Sequence, residues 1–461
     1  MSRSIAGWLK AQLISKVELL ALRSRYTYLS VASVVAMSGY GFLAFFPLVV
    51  ITCMVSLFRR IPAATGVVDW IQITGISLVA LVCLLTISRL FQFRFSRVQG
   101  LQLSRTQAPC LYDLIAEVRE HYKRPAIKSV VITDRAELRI ESIPQTGLPF
   151  LTSNHLVIGL PLLQILSVEE FRCELSRCVG QFSGLMPRIT FFIYKADRLW
   201  SLYNRALGKS KHIGLFIPRI LFRLYSPLLH IVVAPALRWE EMEADLCALD
   251  YINEREVFDA LKSRVISDFF MERCYWPNVK KMVLKNPEGA VKPFENLEKI
   301  IRSTLNMQGR KKWMENACRQ KQLPGDVIPI FRQRMEHMGH SKIKSIPVPA
   351  ASALEELLGD GRKNVIAIIE KLWSSTMRSQ WVREHKEKCR QLEKIKKLSQ
   401  KSRQGVLWPA EILSYALLDR KVRGNPIKDS VLKITRRNIR NMLPEFLTNR
   451  VRSAERLNDI F

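Results

Sequence analysis

Hydrophobic and polar positions alternate in three different ways along this chain. Residues 26–58 contain no charged side chain, and residues 70–88 form a second uncharged run between Asp69 and Arg89. Both runs match the length of roughly 20 apolar residues that a membrane-spanning helix needs. Only residues 59–69 separate them, so a two-helix membrane hairpin is predicted, with a buried soluble hairpin as the alternative. Pro47 predicts a kink in the first span or an early end to it. Ahead of the hairpin, residues 1–25 set Ile5, Trp8, Leu9, Leu13, Val17 and Leu20 among basic residues, the pattern of a helix lying along a membrane surface.

From residue 99 the pattern becomes that of a folded domain. Helical spacing covers 111–122, and β-like runs follow at 129–133, 138–143 and 155–159. Gly147-Leu148-Pro149 and Thr152-Ser153-Asn154 read as turn residues between the later two. Residues 161–166 predict a short helix, and Ser167 with Glu170 forms a capping box that starts the next one. An apolar and aromatic region spans 189–237. Its stretch 224–237, interrupted by Pro227, His230 and Pro235, is too short to cross a bilayer and reads as buried core or a membrane-dipping element. Beyond residue 250 the chain is helical, with connectors at 286–293 and 341–349. The predicted class is α+β, mainly α. After the segments 1–25, 26–58 and 70–88 come a domain with a small β-sheet over 99–285, a connector and helices over 286–353, and a basic helical region over 354–461.

Charge adds direction to this plan. The formal net charge is +30, which points to an anionic partner. Arg3, Lys10, Lys16, Arg23 and Arg25 precede the hairpin and Arg89, Arg94, Arg97 and Arg105 follow it, whereas the link holds only Arg59 and Arg60. Both termini and the main domain are therefore expected in the cytoplasm. Nine scattered cysteines fit a reducing compartment rather than a disulfide scaffold. The basic C-terminal region is expected to attract anionic lipid. Nucleic acid is disfavoured, because Trp408, Tyr415 and Phe446 are too sparse for a stacking platform.

Four blocks carry the candidate chemistry. They are Gly159-Leu160-Pro161-Leu162-Leu163, Leu166-Ser167-Val168-Glu169-Glu170-Phe171, Arg177-Cys178-Val179-Gly180-Gln181 and Arg238-Trp239-Glu240-Glu241-Met242-Glu243-Ala244-Asp245. In this order and spacing they resemble the HtpX and CAAX-prenyl-protease family of membrane zinc metallopeptidases, of gluzincin type, over about residues 105–250. The resemblance implies a zincin-like cytoplasmic domain behind the hairpin and an integral protein of a bacterial inner membrane. It sets Arg177 and Gln181 at the two zinc-binding His positions of a His-Glu-x-x-His helix, and Cys178 at the catalytic Glu. Glu241 falls at the third ligand and Asp245 at the carboxylate that orients a ligand His. It also implies a peptide lying along an edge strand, here the run with Leu138, Ile140 and Ile143.

The substituted residues lack the chemistry of the originals. A guanidinium stays protonated and has no lone pair to offer a metal, a glutamine amide is a poor zinc ligand, and a thiol cannot serve as the general base. No cofactor is expected, although active relatives use zinc. Arg177 is expected to fill the metal position and pair with Glu241. His155, His212 and His230 have no ligand spacing near this helix, and His337 and His340 beside Glu336 read as a solvated face. The expected function is that of a catalytically inactive pseudopeptidase that binds membrane or peptide partners. The alternatives are an active metallopeptidase with an atypical site and a basic membrane-surface tether or scaffold.

Overall fold

The structure is a computed structural model and describes residues 2–418 except 97, 124–126, 148, 150, 182–187, 286–290, 340–350, 404–410, 412, 413 and 416. Leu148 of the predicted turn, most of both predicted connectors and the basic tail beyond 418 lie outside the described residues. The chain divides into two compact units, one of residues 1–275 with 292–372, the other of 276–291 with 373–461.

The first unit opens with α1 (Ser2–Arg23), α2 (Arg25–Arg60) and α3 (Val67–Gln92). Ser24 ends one helix and starts the next by accepting from the Thr27 amide. Trp8 and Leu9 of α1 are exposed, as a surface-lying helix requires, but Val17 and Leu20 pack on the protein core instead. α2 runs unbroken through Pro47. Among the described residues, three helical stretches are long and apolar enough to cross a membrane: Arg25–Ala63, Val67–Gln92 and Ile213–Tyr251. The third corrects the expectation that residues 224–237 are too short to cross a bilayer, while their reading as buried core holds for Leu229, Val232, Val233, Ala236 and Leu237. The whole stretch is the middle of one continuous helix, α8 (Phe216–Tyr251), which carries Pro227 and Pro235 inside it.

That continuity is supplied from α2. A proline at 235 lacks an amide and strains the ladder around it. The Tyr28 hydroxyl sits beside it, accepting from the Ala236 amide at 3.0 Å and donating to the Val232 carbonyl at 3.0 Å. About two turns along α2, the Tyr225 hydroxyl donates to the carbonyl of Val35 at 2.6 Å, and Trp200 Nε1 donates to that of Ala36 at 3.1 Å. Trp200 belongs to α7 (Arg188–Lys209), antiparallel to α8. Its ring stacks on Phe222 at 5.2 Å and lies so close to Gly39 that a Cβ there would sit 2.5 Å from it. α2, α7 and α8 thus share one apolar core, which includes Leu29, Ala32, Ile193, Tyr203, Leu229 and Val233.

Behind the hairpin come β1 (Leu101–Leu103), α4 (Pro109–His121), β2 (Ser129–Thr133), β3 (Leu138–Pro144) and β4 (Thr152–Gly159). They form a four-stranded sheet in the order β1-β2-β4-β3. β2 and β4 pair in parallel, and the outer strands are antiparallel to them. Every residue of β2 is buried, as suits a central strand. Thr152, Ser153 and Asn154, expected as a turn, instead lengthen β4 and pair with Pro144, Ile143 and Ser142. The short β1 has no counterpart among the predicted runs. The chain then forms α5 (Leu160–Ile165) and α6 (Val168–Gly180), and, after α8, α9 (Glu254–Phe270).

The second unit contains α10 (Trp276–Lys285). α11 (Pro293–Thr304), α12 (Met307–Cys318), α13 (Phe331–His337) and α14 (Ala353–Leu358) return to the first. α15 (Arg362–Arg403) belongs to the first unit up to Leu372 and to the second from Trp373. The one-face spacing of Trp373 and Trp381 brings their rings to 4.5 Å, and Trp276 lies 5.9 Å from Trp373.

Candidate functional site

The frame of the predicted site is built by two helices that approach unusually closely. α6 starts at the expected capping box: Ser167 Oγ accepts from the Glu170 amide at 3.2 Å, and the Glu170 carboxylate accepts from the Ser167 amide at 3.0 Å. At its far end Gln181 keeps helical angles, and its amide donates to the Arg177 carbonyl at 3.2 Å. Positions 177 and 181 therefore remain one turn apart on one face. A Cβ on Gly180 would lie 2.7 Å from the Cβ of Cys247, so glycine is what lets α6 meet α8 here. Tyr122 closes the seam by donating to the Cys247 carbonyl at 2.6 Å.

Arg177 occupies the centre. Its Nη1 donates to Glu174 at 3.0 Å and its Nη2 to Glu241 at 3.1 Å. Its Nε lies 2.6 Å from Asp245 Oδ1, an ionic contact off the line of a hydrogen bond. Asp245, 1% exposed, also takes a two-pronged grip from Arg334 of α13, whose Nε and Nη2 donate at 2.8 and 2.7 Å. Burial works against the Arg177 charge. Asp245, Glu174 and Glu241 outweigh that penalty and hold the guanidinium protonated beyond its already high range. Arg264 continues the network from α9, donating to Asp268 and to the Ala136 carbonyl, both at 2.9 Å.

Cys178 lies beside this cluster as a neutral thiol. Burial pushes its thiol up to about 12, opposed by the backbone amide of Ile140 and by Arg177. That amide belongs to β3, which lies at one edge of the sheet, so the strand of Leu138, Ile140 and Ile143 runs beside the altered helix. Arg139 on the same strand is paired with Glu137 and with Glu141.

The structure brings together Arg177, Glu241 and Asp245, the residues that the resemblance set at one site. It adds Glu174, one turn before Arg177, and Arg334, which no local motif marks. Gln181 is buried at the helix end. Of the predicted histidines, His155 lies between Ser129 and Ser153 on the sheet and His230 pairs with Asp197 at 3.1 Å, whereas His337, three residues after Arg334 on α13, is 4.0 Å from Glu243 at the margin of the cluster. His340 lies outside the described residues.

Zinc takes lone pairs from imidazole, thiolate or carboxylate. Here Glu241 and Asp245 are turned onto guanidinium groups, which have no lone pair to offer, so the residues as arranged do not fit that metal. What the arrangement does do is dock three helices, α6, α8 and α13, through buried charges.

The chain matches no family model, no curated protein and no solved structure.

Proposed function

We propose that this protein is a membrane-anchored, catalytically silent relative of the HtpX-type zinc metallopeptidases that holds peptide or membrane-protein partners at the cytoplasmic face. The observation that carries the reading is the Arg177 guanidinium on Glu241 and Asp245, at the point where the resemblance would set a metal. A fixed cation there keeps the helices together without zinc and leaves no group to activate water. Binding is assigned to β3, whose edge runs beside α6 and offers backbone groups for strand addition. The apolar stretches α2 and α3 supply the anchor, and the excess of basic residues on both flanks supports a cytoplasmic domain.

The test is zinc content by elemental mass spectrometry of the detergent-purified full-length chain. The same measurement is made on the triple variant Arg177→His, Cys178→Glu, Gln181→His. The natural sequence is expected to carry no stoichiometric zinc. The variant, with its His pair one turn apart opposite Glu241, is expected to take up about one ion. Stoichiometric zinc in the natural protein, lost on Glu241→Ala, would sink the reading.

A further inference from the structure

Apart from the Arg177 cluster, the end of α3 and the end of α7 line a cavity of ≈ 480 Å³. Its lining is basic: Arg89 and Arg94 come from the end of α3 and the segment after it, and Lys209, Lys211 and His212 from the turn between α7 and α8. The turn Ile213–Leu215 lies flush on α3, because Gly214 has no side chain. A Cβ there would come 2.9 Å from Arg89 Cγ and 3.6 Å from the Leu85 carbonyl. The two basic segments are thereby fixed against each other.

Helix ends alone do not account for this charge. Each C-terminus presents about half a negative charge, so the ends of α3 and α7 call for about one cation, against four Arg and Lys side chains here. Arg89 donates to Gln92 at 3.2 Å. None of Arg89, Arg94, Lys209 and Lys211 forms an ion pair with a carboxylate among the described residues. Among the described residues, no carboxylate offsets the positive charge of this cavity, which suits it to an anion. Apolar side chains flank it: Leu85, Phe91, Ile213 and Phe216 are each more than half exposed, and α3 is one of the stretches able to cross a membrane.

We infer that this cavity binds the phosphate headgroup of an anionic glycerophospholipid, with its acyl chains lying along Leu85, Ile213 and Phe216. A soluble phosphate would satisfy the cations but would leave the apolar rim without a partner. A headgroup at the end of a spanning helix satisfies both. The site is independent of the tail beyond residue 418 and of the reading of the Arg177 cluster.

The experiment is native mass spectrometry of the full-length protein in detergent, titrated with phosphatidylglycerol or phosphatidylcholine. Three forms are compared: the natural sequence, Lys209→Gln with Lys211→Gln, and Lys396→Gln with Lys397→Gln as a charge-matched change on exposed positions of α15. Phosphatidylglycerol is expected to bind ~10-fold more tightly than phosphatidylcholine to the natural protein and to the α15 variant. That preference is expected to vanish in the Lys209 and Lys211 variant. Equal binding in all three forms overturns the assignment, and so does equal weakening in both variants, which means diffuse attraction. Displacement of the lipid by an equal concentration of glycerol phosphate overturns it as well, since it makes the site one for soluble anions.

Discussion

Along α8, residues 222–236 meet α2 and α7 through rings and hydroxyls, whereas Glu241 and Asp245, a few turns on, meet α6 and α13 through ions. In the first region the close contact is shape: Gly39 under the Trp200 ring, Phe222 stacked on it, and phenolic hydroxyls on backbone carbonyls. In the second the close contact is Gly180 on Cys247, and around it lie three carboxylates and two guanidinium groups. The difference teaches how each docking fails. Apolar packing weakens in proportion to what is removed. A buried ionic cluster contributes an uncertain net stability but is costly to break, because each deletion strands its partners.

The largest loss of stability is expected at Arg177. Arg177→Ala leaves Asp245, Glu174 and Glu241 short of a cation and is expected to cost ~3–5 kcal/mol in denaturant unfolding. Arg177→Met, similar in length, is expected to lose about as much, since the stranded carboxylates rather than the missing volume set the loss. An unchanged Tm in both would mean the ions are incidental. On the apolar side, Gly39→Ala drives a methyl into the Trp200 ring and is expected to cost ~1–3 kcal/mol through overpacking. A neutral result there would show that α2 and α7 are looser than their contacts.

A third region sharpens the contrast by pH. Glu170 is buried against Ser263 and Arg310, and desolvation pushes it up to about 6, against hydrogen bonds from Ser263 and Ser167 that pull it down. Its folded value lies above its ordinary 4.5, so the folded state holds the proton more tightly. The contribution is fully present below pH 4.5 and is lost as pH rises through about 6, a change of ~2 kcal/mol. Glu170→Gln should flatten that slope in unfolding curves between pH 4 and pH 7, and a slope that persists would assign it to another group. A smaller loss is expected from Tyr28→Phe, about 1–2 kcal/mol, as the Ala236 amide and Val232 carbonyl lose their bridge. The smallest effect belongs to Cys178, inside the ionic region yet neutral. Its buried thiol should resist alkylation at pH 8 in the folded protein and react only on unfolding, and rapid labelling would show that α6 opens.

Much of the ionic region was legible because it is local. The capping box at Ser167 and Glu170, the one-turn spacing of 177 and 181, and the paired acids at 241 and 245 all sit within single helices. Arg334 was not legible: it grips Asp245 from 89 residues away, and no periodicity links two charges across intervening helices. The apolar region was misread where prolines interrupt it. Residues 224–237 looked short because Arg223 and Arg238 bound an apolar run that Pro227 and Pro235 interrupt, and the tyrosine of α2 that bridges the helix beside Pro235 is 208 residues before Ala236. Thr152, Ser153 and Asn154 have turn-forming side chains, but pairing with β3 overrides that preference. β1, at three residues, is too short to leave a pattern.

The Tyr28 bridge also has a meaning in time. α2 leaves the ribosome long before α8, so its hydroxyl is already waiting when residues 232–236 are synthesised. Once the helices meet, that hydroxyl completes the hydrogen bonding of the α8 backbone beside Pro235, accepting from Ala236 and donating to Val232. The amide of Ala236 thereby becomes a built-in reporter of assembly, exchanging its hydrogen freely in an isolated helix and slowly once the bundle has formed.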